Sequence, residues 1–366
     1  MAVEVAASVV RTCLGDGEQT FAALLRGESG IGELRIGDGA KLNVTRGYHV
    51  SDGHEDEAFR PSSWLTACIR EALAAAGVDP ARERVAAVVG TGLRELRAVE
   101  TSAPAAERLH FGAAVREAAP LEGVVTLSNA CSAGGHALAL AQDLVEAGEA
   151  DAAVAAAADG MTESMLAMIG RVTDAPTEHV RPFDADRTGT LLGESAAAVV
   201  VAPEGSHPAP LARVLGTGLT CDAYHETAAD AGGIRRAIDD GFARAGRTAD
   251  EVDVVVAHGT GTAINDALES TLIRETFGDG ERPLVTATKG AVGHTSGVAA
   301  LVNLDVAIRC LRRRVVPPIV GLRRPLEEGT GVRFVVGKPV AAPIRLAQVN
   351  AFGFGGVNAV NLLEAA

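Results

Sequence analysis

Residues 123–148 read GVVTLSNACSAGGHALALAQDLVEAG. The apolar run Gly123 to Asn129 has the length and composition of a buried strand. From about Ser132 to Ala147 the pattern becomes helical, and Gly148 supplies the stop. Cys131 falls at the joint, where a strand end meets a helix start. Working outward, Ala152 to Ala158 reads as a further buried strand, Arg84 to Gly90 as an earlier one, and Pro61 to Gly77 as an amphipathic helix with Leu65, Ile69 and Leu73 on one face. Ser195 to Ala202 is another strand. Pro203 to Pro210 (PEGSHPAP) is a connector rich in Pro, Gly and Ser. The rhythm then restarts: strands at Leu211 to Leu219, Val252 to Ala257, Leu284 to Thr288, Arg345 to Ala351 and Asn358 to Leu363, with helices at Gly232 to Ala245, Thr262 to Phe277 and Ser296 to Leu311. Strands alternating with helices predict parallel sheets covered by helices. Two such runs predict two stacked α/β halves, residues 1–205 and 206–366. The repeat is read from rhythm only, because the halves share no evident sequence.

The 366 residues are too many for one ordinary core. Hydrophobic residues make up 47% but aromatics only 3%, so the core is built from Ala, Val, Leu and Ile. A net charge of −14 argues against a nucleic-acid binder. The five cysteines are widely spaced and odd in number, which argues against a disulfide framework or a zinc site and fits a reducing cytoplasm. Glu4 interrupts the first apolar stretch and no basic segment precedes it, so no signal peptide is read. No apolar run reaches membrane-spanning length.

Four strand-end motifs carry chemistry. In Asn129-Ala-Cys131-Ser-Ala-Gly-Gly135 a helix N-terminus behind the sulfur is expected to favour a thiolate and lower its pKa. Alone, the motif reads equally as a buried structural cysteine. In His258-Gly-Thr260-Gly-Thr262, with Asn265, Asp266 and Glu269 following, an imidazole can move a proton or face a developing oxyanion. The loop lacks the lysine of a phosphate-binding loop. In Lys289-Gly-Ala-Val-Gly-His294 the bland reading is an ion-paired lysine and a capping histidine. In Asn350-Ala-Phe352-Gly-Phe354-Gly-Gly-Val-Asn358 it is a glycine-rich hairpin, against an apolar wall or gate. Together, Cys, His, Lys/His and a Gly/Phe loop are the set needed for acyl transfer followed by carbon–carbon bond formation.

On these motifs, on Phe21-Ala-Ala-Leu-Leu-Arg-Gly-Glu-Ser-Gly-Ile31 and on Arg181-Pro-Phe-Asp-Ala-Asp-Arg-Thr-Gly-Thr-Leu-Leu-Gly-Glu194, the chain closely resembles the β-ketoacyl synthases (type I/II condensing enzymes) of the thiolase superfamily. The resemblance runs from about Phe21 to Leu363. It implies a duplicated αβαβα five-layer sandwich and a homodimer, or a heterodimer with a related subunit. It implies that Cys131 accepts the acyl group, and that His258 and His294 promote loss of CO2 from a malonyl-type thioester and stabilise the enolate. Lys289 would hold His294 and Glu269 electrostatically. The N–H groups of Cys131 and Phe354 would form the oxyanion hole, with Phe354 also gating the pocket that Phe352 helps to wall. Thr260 and Thr262 would bind a phosphopantetheine arm, which arrives with the substrate on an acyl carrier protein or on coenzyme A. Asp266 and Glu269 would be supports. The resemblance implies no metal and no resident cofactor.

Departures limit specificity. Thr190 stands where many relatives carry Phe near the acyl pocket, and Ser195 replaces a common Gly. The opening strand reads as degraded to Ala2 to Arg11. The segment His54-Glu55-Asp56-Glu57 is acidic where relatives often carry basic docking residues. Arg60 and Arg70 remain as docking candidates, while Arg312 to Arg314 reads as a solvated helix end. His136, His179 and His225 have no supporting motif. Two alternatives to a condensing enzyme stand: an acyltransferase making C–O or C–N bonds without decarboxylation, and a non-catalytic chain-length partner. The presence of Cys131 argues against the second.

Overall fold

A computed structural model describes residues 3–53, 57–102, 104–121, 123–171, 175–278 and 280–366. The acidic stretch 54–56 lies outside the described residues. The main strands are β1 Val3–Thr12, β2 Val85–Gly90, β3 Gly123–Leu127, β4 Ala152–Asp159, β5 Ser195–Pro203, β6 Ala212–Cys221, β7 Val254–Val256, β8 Leu284–Thr286, β9 Arg333–Phe334, β10 Leu346–Gly353 and β11 Val357–Glu364. Their order across the sheet is β9-β8-β7-β10-β11-β6-β1-β5-β4-β2-β3.

The repeat inferred from rhythm is explicit in this order. In the first half the strands lie third, second, fourth, fifth, first; β6, β7, β8, β10 and β11 repeat that order in the second half. Directions repeat as well. The second strand runs parallel to the third and fourth, and the fifth runs antiparallel to the fourth and first. The halves join where Val3–Val5 pairs with Ala212–Val214. The second half adds β9 outside β8, so its outer edge is covered, whereas β3 ends the sheet on the first half's side.

The helices that matter are α1 Arg60–Ala76, α2 Ala133–Glu146, α3 Ala231–Ala245, α4 Ala263–Phe277 and α5 Ala299–Arg313. α2 and α5 fill the middle layer, and α5 is buried along nearly its whole length. α1 covers the outer face of the first half; α3 and α4 cover that of the second. This gives the five layers. The alanine-rich strands explain how they pack. In β4, Ala153, Ala155 and Ala157 face the central core while Ala152, Val154, Ala156 and Ala158 face α1. Both faces are buried, so the two-residue period shows in which layer each methyl meets and not in any polar alternation. β1 is a ten-residue central strand that pairs with β5 along most of its length, so this segment forms the opening strand despite its departure from the pattern of relatives.

Local signals set the helix ends. α1 has Pro61 in its first turn and stops at Gly77, whose φ of 66° lies in the left-handed region. Its N-cap, Phe59, offers no side-chain acceptor; Glu95, from the loop after β2, accepts from Ser62 N–H at 2.8 Å and Ser62 Oγ–H at 2.5 Å instead.

Candidate functional site

Cys131 sits in a one-turn 3₁₀ segment, Ala130–Ser132, between β3 and α2. Ala130 is forced to φ 49°, a strained turn that throws the next side chain off the strand end. Burial pushes the Cys131 thiol up to about 11; the nearby Lys289 cation and the N–H of Phe354 oppose this, Asp159 adds to it, and the thiol's own N–H opposes it. The expected thiolate is therefore corrected. Removing the sulfur from water dominates the shift, and the resting group is a thiol. The N–H groups of Phe354 and Cys131 both favour the charged form of the sulfur.

His258 follows β7, and its loop is held from below by two buried carboxylates. Glu269 accepts from His258 N–H and Gly259 N–H, both at 2.8 Å, and from Asn350 Nδ2 at 3.0 Å. Asp266 accepts from Thr260 N–H at 2.9 Å, Gly261 N–H at 3.0 Å and Phe183 N–H at 2.7 Å. Both lie on the buried face of α4. Burial raises both carboxyls, and these donors offset part of that rise. Thr260 Oγ also donates to Asp266 at 3.3 Å and lies 2.8 Å from Thr262 Oγ.

Lys289 is buried and donates to the His258 carbonyl, with its Nζ 3.3 Å from His258 Nδ1. Its charge acts on His294 and Glu269, the two groups it is expected to hold electrostatically, and its hydrogen bonds go to His258. Burial draws the ammonium down to about 8, while Cys131, Glu269 and Asp266 pull the other way. His258 and His294 stand edge to face with ring centroids 5.5 Å apart, and Phe352 lies 5.6 Å from His258. Burial, then the Lys289 charge, pushes both imidazoles well below their ordinary range; His294 adds a further push on His258. Both rings are neutral at pH 7.

Nδ1 of His294 accepts from Ser296 N–H at 3.2 Å, and Nδ1 of His258 faces the ammonium. A neutral ring whose Nδ1 accepts carries its proton on Nε2. Both rings are thus set as donors at Nε2.

Phe354 is 45% exposed, at the rim, and Phe352 is buried. Thr190 Oγ is buried without a hydrogen-bond partner among the described residues. Arg60 is buried in an ion-pair network with Asp52 and Glu194 and stacks on Trp64, so its reading as a docking residue is corrected. Ser195 donates to Arg11 O at 2.7 Å. His136 bonds back to Ser132 O inside α2, and His225 accepts from Thr227 and Ala228 N–H in its own loop. Sequence reading missed Asn350, Asp159 and Asn303, which accepts from Thr288 Oγ at 2.7 Å and donates to Ala257 O at 3.1 Å. Asp159 and Asn303 lie outside the four motifs, and Asn350 opens the fourth without a role having been read for it. The visible signal for Asp159 was a charge closing a strand buried on both faces.

The family model for the N-terminal domain of β-ketoacyl synthase matches residues 2–207, and that for the C-terminal domain matches 211–323. The chain is 35% identical over 250 residues to a 3-oxoacyl-[acyl-carrier-protein] synthase 2 of Mycobacterium bovis, covering 64% of this chain and 60% of that protein. It is 34% identical over 243 residues to nodulation protein E of Rhizobium meliloti, covering 65% and 60%. The chain thus spans 60% of the length of these curated relatives. Among solved structures it is similar to the ishigamide ketosynthase/chain length factor, with TM-score 0.88, 29% identity, and 100% and 99% of the two chains covered. It shares the fold of a β-ketoacyl synthase from Burkholderia phymatum, with TM-score 0.89, 22% identity, and the same coverage.

Proposed function

Because the chain belongs to the β-ketoacyl synthase family, we propose that it joins an acyl group held on Cys131 to a malonyl-type thioester with loss of CO2. The observation that carries this reading is the pair of neutral imidazoles, both set to donate from Nε2, standing with Lys289 beside a thiol that faces two N–H groups.

In the first half-reaction the Cys131 sulfur attacks the donor thioester carbonyl. The carbonyl oxygen gains negative charge, which the N–H groups of Cys131 and Phe354 stabilise. The carrier thiolate leaves and takes the Cys131 proton. In the second, the malonyl carboxylate departs as CO2 and the electron pair moves onto the thioester, whose oxygen receives hydrogen bonds from His258 and His294. The enolate carbon attacks the acyl carbonyl, and the Cys131 thiolate leaves and takes a proton from solvent. Neutral imidazoles suit this step, because they donate without drawing the malonyl carboxylate into an ion pair. Lys289 orients His258, and Asp266 and Glu269 hold the loop that bears it. Thr260 gives its proton to Asp266 and accepts from Thr262, which leaves lone pairs on Thr262 for an amide N–H of a pantetheine arm. Phe354 gates the entrance, Phe352 walls it, and Thr190 reshapes the acyl pocket.

We infer an acyl carrier protein as donor. The supporting observation is a groove of about 260 Å³ between α1 and the segment 106–117, lined by Arg70, Arg108 and His110 with Glu117. It offers local positive charge on an acidic chain. We also infer a dimer formed along β3, whose outer edge is unpaired among the described residues and leaves Val125 40% exposed. Five free thiols suit a reducing cytoplasm. Among the described residues no helix is long and apolar enough to cross a membrane.

The test is intact-protein mass after incubation of wild type and Cys131→Ala with a panel of acyl thioesters, followed by malonyl thioester. Wild type is expected to gain the acyl mass and discharge it with CO2; Cys131→Ala is expected to gain none. Acylation without CO2 release would make the chain an acyltransferase, and no acylation with any donor would overturn both readings.

A further inference from the structure

Asp159 closes β4, is 1% exposed, and accepts four hydrogen bonds. Three come from the first half: Thr91 Oγ–H at 2.6 Å, Gly92 N–H at 2.8 Å and Leu93 N–H at 2.9 Å. The fourth comes from the second half, Gly297 N–H at 2.7 Å. The residue before Gly297 is Ser296, whose N–H fixes Nδ1 of His294. Ser296 has φ 49°, a left-handed conformation that an L side chain strains to adopt, so the turn needs an outside hold. The two segments that Asp159 gathers also touch directly. A Cβ on Gly297 would come within 2.5 Å of Gly92 N, and one on Gly92 within 3.2 Å of Gly297 N. On its other side the His294 backbone pairs with first-half residues: His294 N–H donates to Leu191 O at 2.8 Å and Gly193 N–H to His294 O at 3.0 Å.

We propose that Asp159 is a positioning residue that clasps the two halves across the site, holding the Ser296–Gly297 turn against the Thr91–Leu93 loop so that His294 keeps its Nε2 proton and its place beside Cys131. This rests on the proposed condensing reaction. It makes Asp159 matter to the step that uses His294, loss of CO2, and much less to acylation of Cys131.

The experiment uses the full chain and separates the two half-reactions. Acylation of Cys131 is followed by intact mass, CO2 release from malonyl thioester by a coupled assay, and the His294 ring by ¹⁵N chemical shifts. In Asp159→Asn, acylation is expected to stay within about threefold of wild type while CO2 release falls on the order of 10²-fold, and the His294 nitrogens are expected to lose the single Nε2–H pattern. Gly297→Ala keeps the carboxylate but wedges the clasp apart, and is expected to show the same split; it serves also if Asp159→Asn does not fold. Wild-type CO2 release in either folded variant, or equal loss of both half-reactions, overturns the proposal. A wild-type protein that acylates but never releases CO2 overturns the condensing reaction instead.

Discussion

The two histidines are held in opposite ways. His258 rests mainly on its own half: Asp266 and Glu269 lie within eleven residues of it, on the helix its loop opens, with Phe183 N–H of the first half a further donor to Asp266. His294 belongs to the second half by sequence but is presented by the first, through Leu191, Gly193 and the Asp159 bond to Gly297. A local brace forms with its own segment. A remote one forms only when the halves dock, so the relation of His294 to Cys131 reports the docking of the two repeats.

The sharpest break on the local side is Glu269→Ala. It strands the N–H groups of His258 and Gly259 in the core, each at about 1–3 kcal/mol, so a loss of several kcal/mol in chemical denaturation is expected, while Glu269→Gln keeps an acceptor and most of the stability. Next is Lys289→Met, which removes the donor facing His258 Nδ1. CO2 release is expected to fall by about 10²-fold or more. Because Lys289 holds the Cys131 thiol down, alkylation of Cys131 at fixed pH is also expected to slow. If the two effects separate, Lys289 serves only one of the two groups.

The first half carries a pH signature through Glu95, whose carboxyl burial raises to about 7 from an ordinary 4.5. The native state then keeps a proton that the unfolded chain has released. That contribution to stability is complete below pH 4.5 and is lost as pH rises through about 7. Glu95→Gln holds no such charge, so relative to wild type it is expected to gain up to about 3 kcal/mol between pH 4.5 and 8 in denaturant titrations. The smallest effect is expected at Thr190→Val. It removes a buried hydroxyl without a partner, so stability should hold or rise by about 1 kcal/mol. A loss there would show that the hydroxyl has a partner in solution.

This division also marks what the sequence could convey. Strands and helices were legible because apolar runs and their Gly and Pro stops are local signals, as at Pro61 and Gly77. Asp266 and Glu269 were legible because they follow His258 on one helix. The repeated strand order was legible only as rhythm, since strand neighbours are set by docking. The roles of Asp159 and Asn350 were not legible, because their partners are remote: those of Asp159 lie 66 to 138 residues away and Glu269 lies 81 from Asn350. The thiol's charge state was misread for the same reason: a helix start is visible in sequence, and the depth at which it is buried is not. Arg60 was misread because the carboxylate that buries it, Glu194, is remote.

The resting state of Cys131 has a consequence for what can damage or inhibit this protein. With burial holding the thiol far above its ordinary range, a much smaller fraction of molecules carries a thiolate near neutral pH than for a free cysteine. Peroxide and small indiscriminate electrophiles react with thiolates, so they meet an almost inert sulfur. On the proposed reading, a compound that captures Cys131 quickly brings its own recognition, with an oxygen for the N–H groups of Cys131 and Phe354 and a body that passes Phe354. Reactivity in this protein is conferred by the visitor.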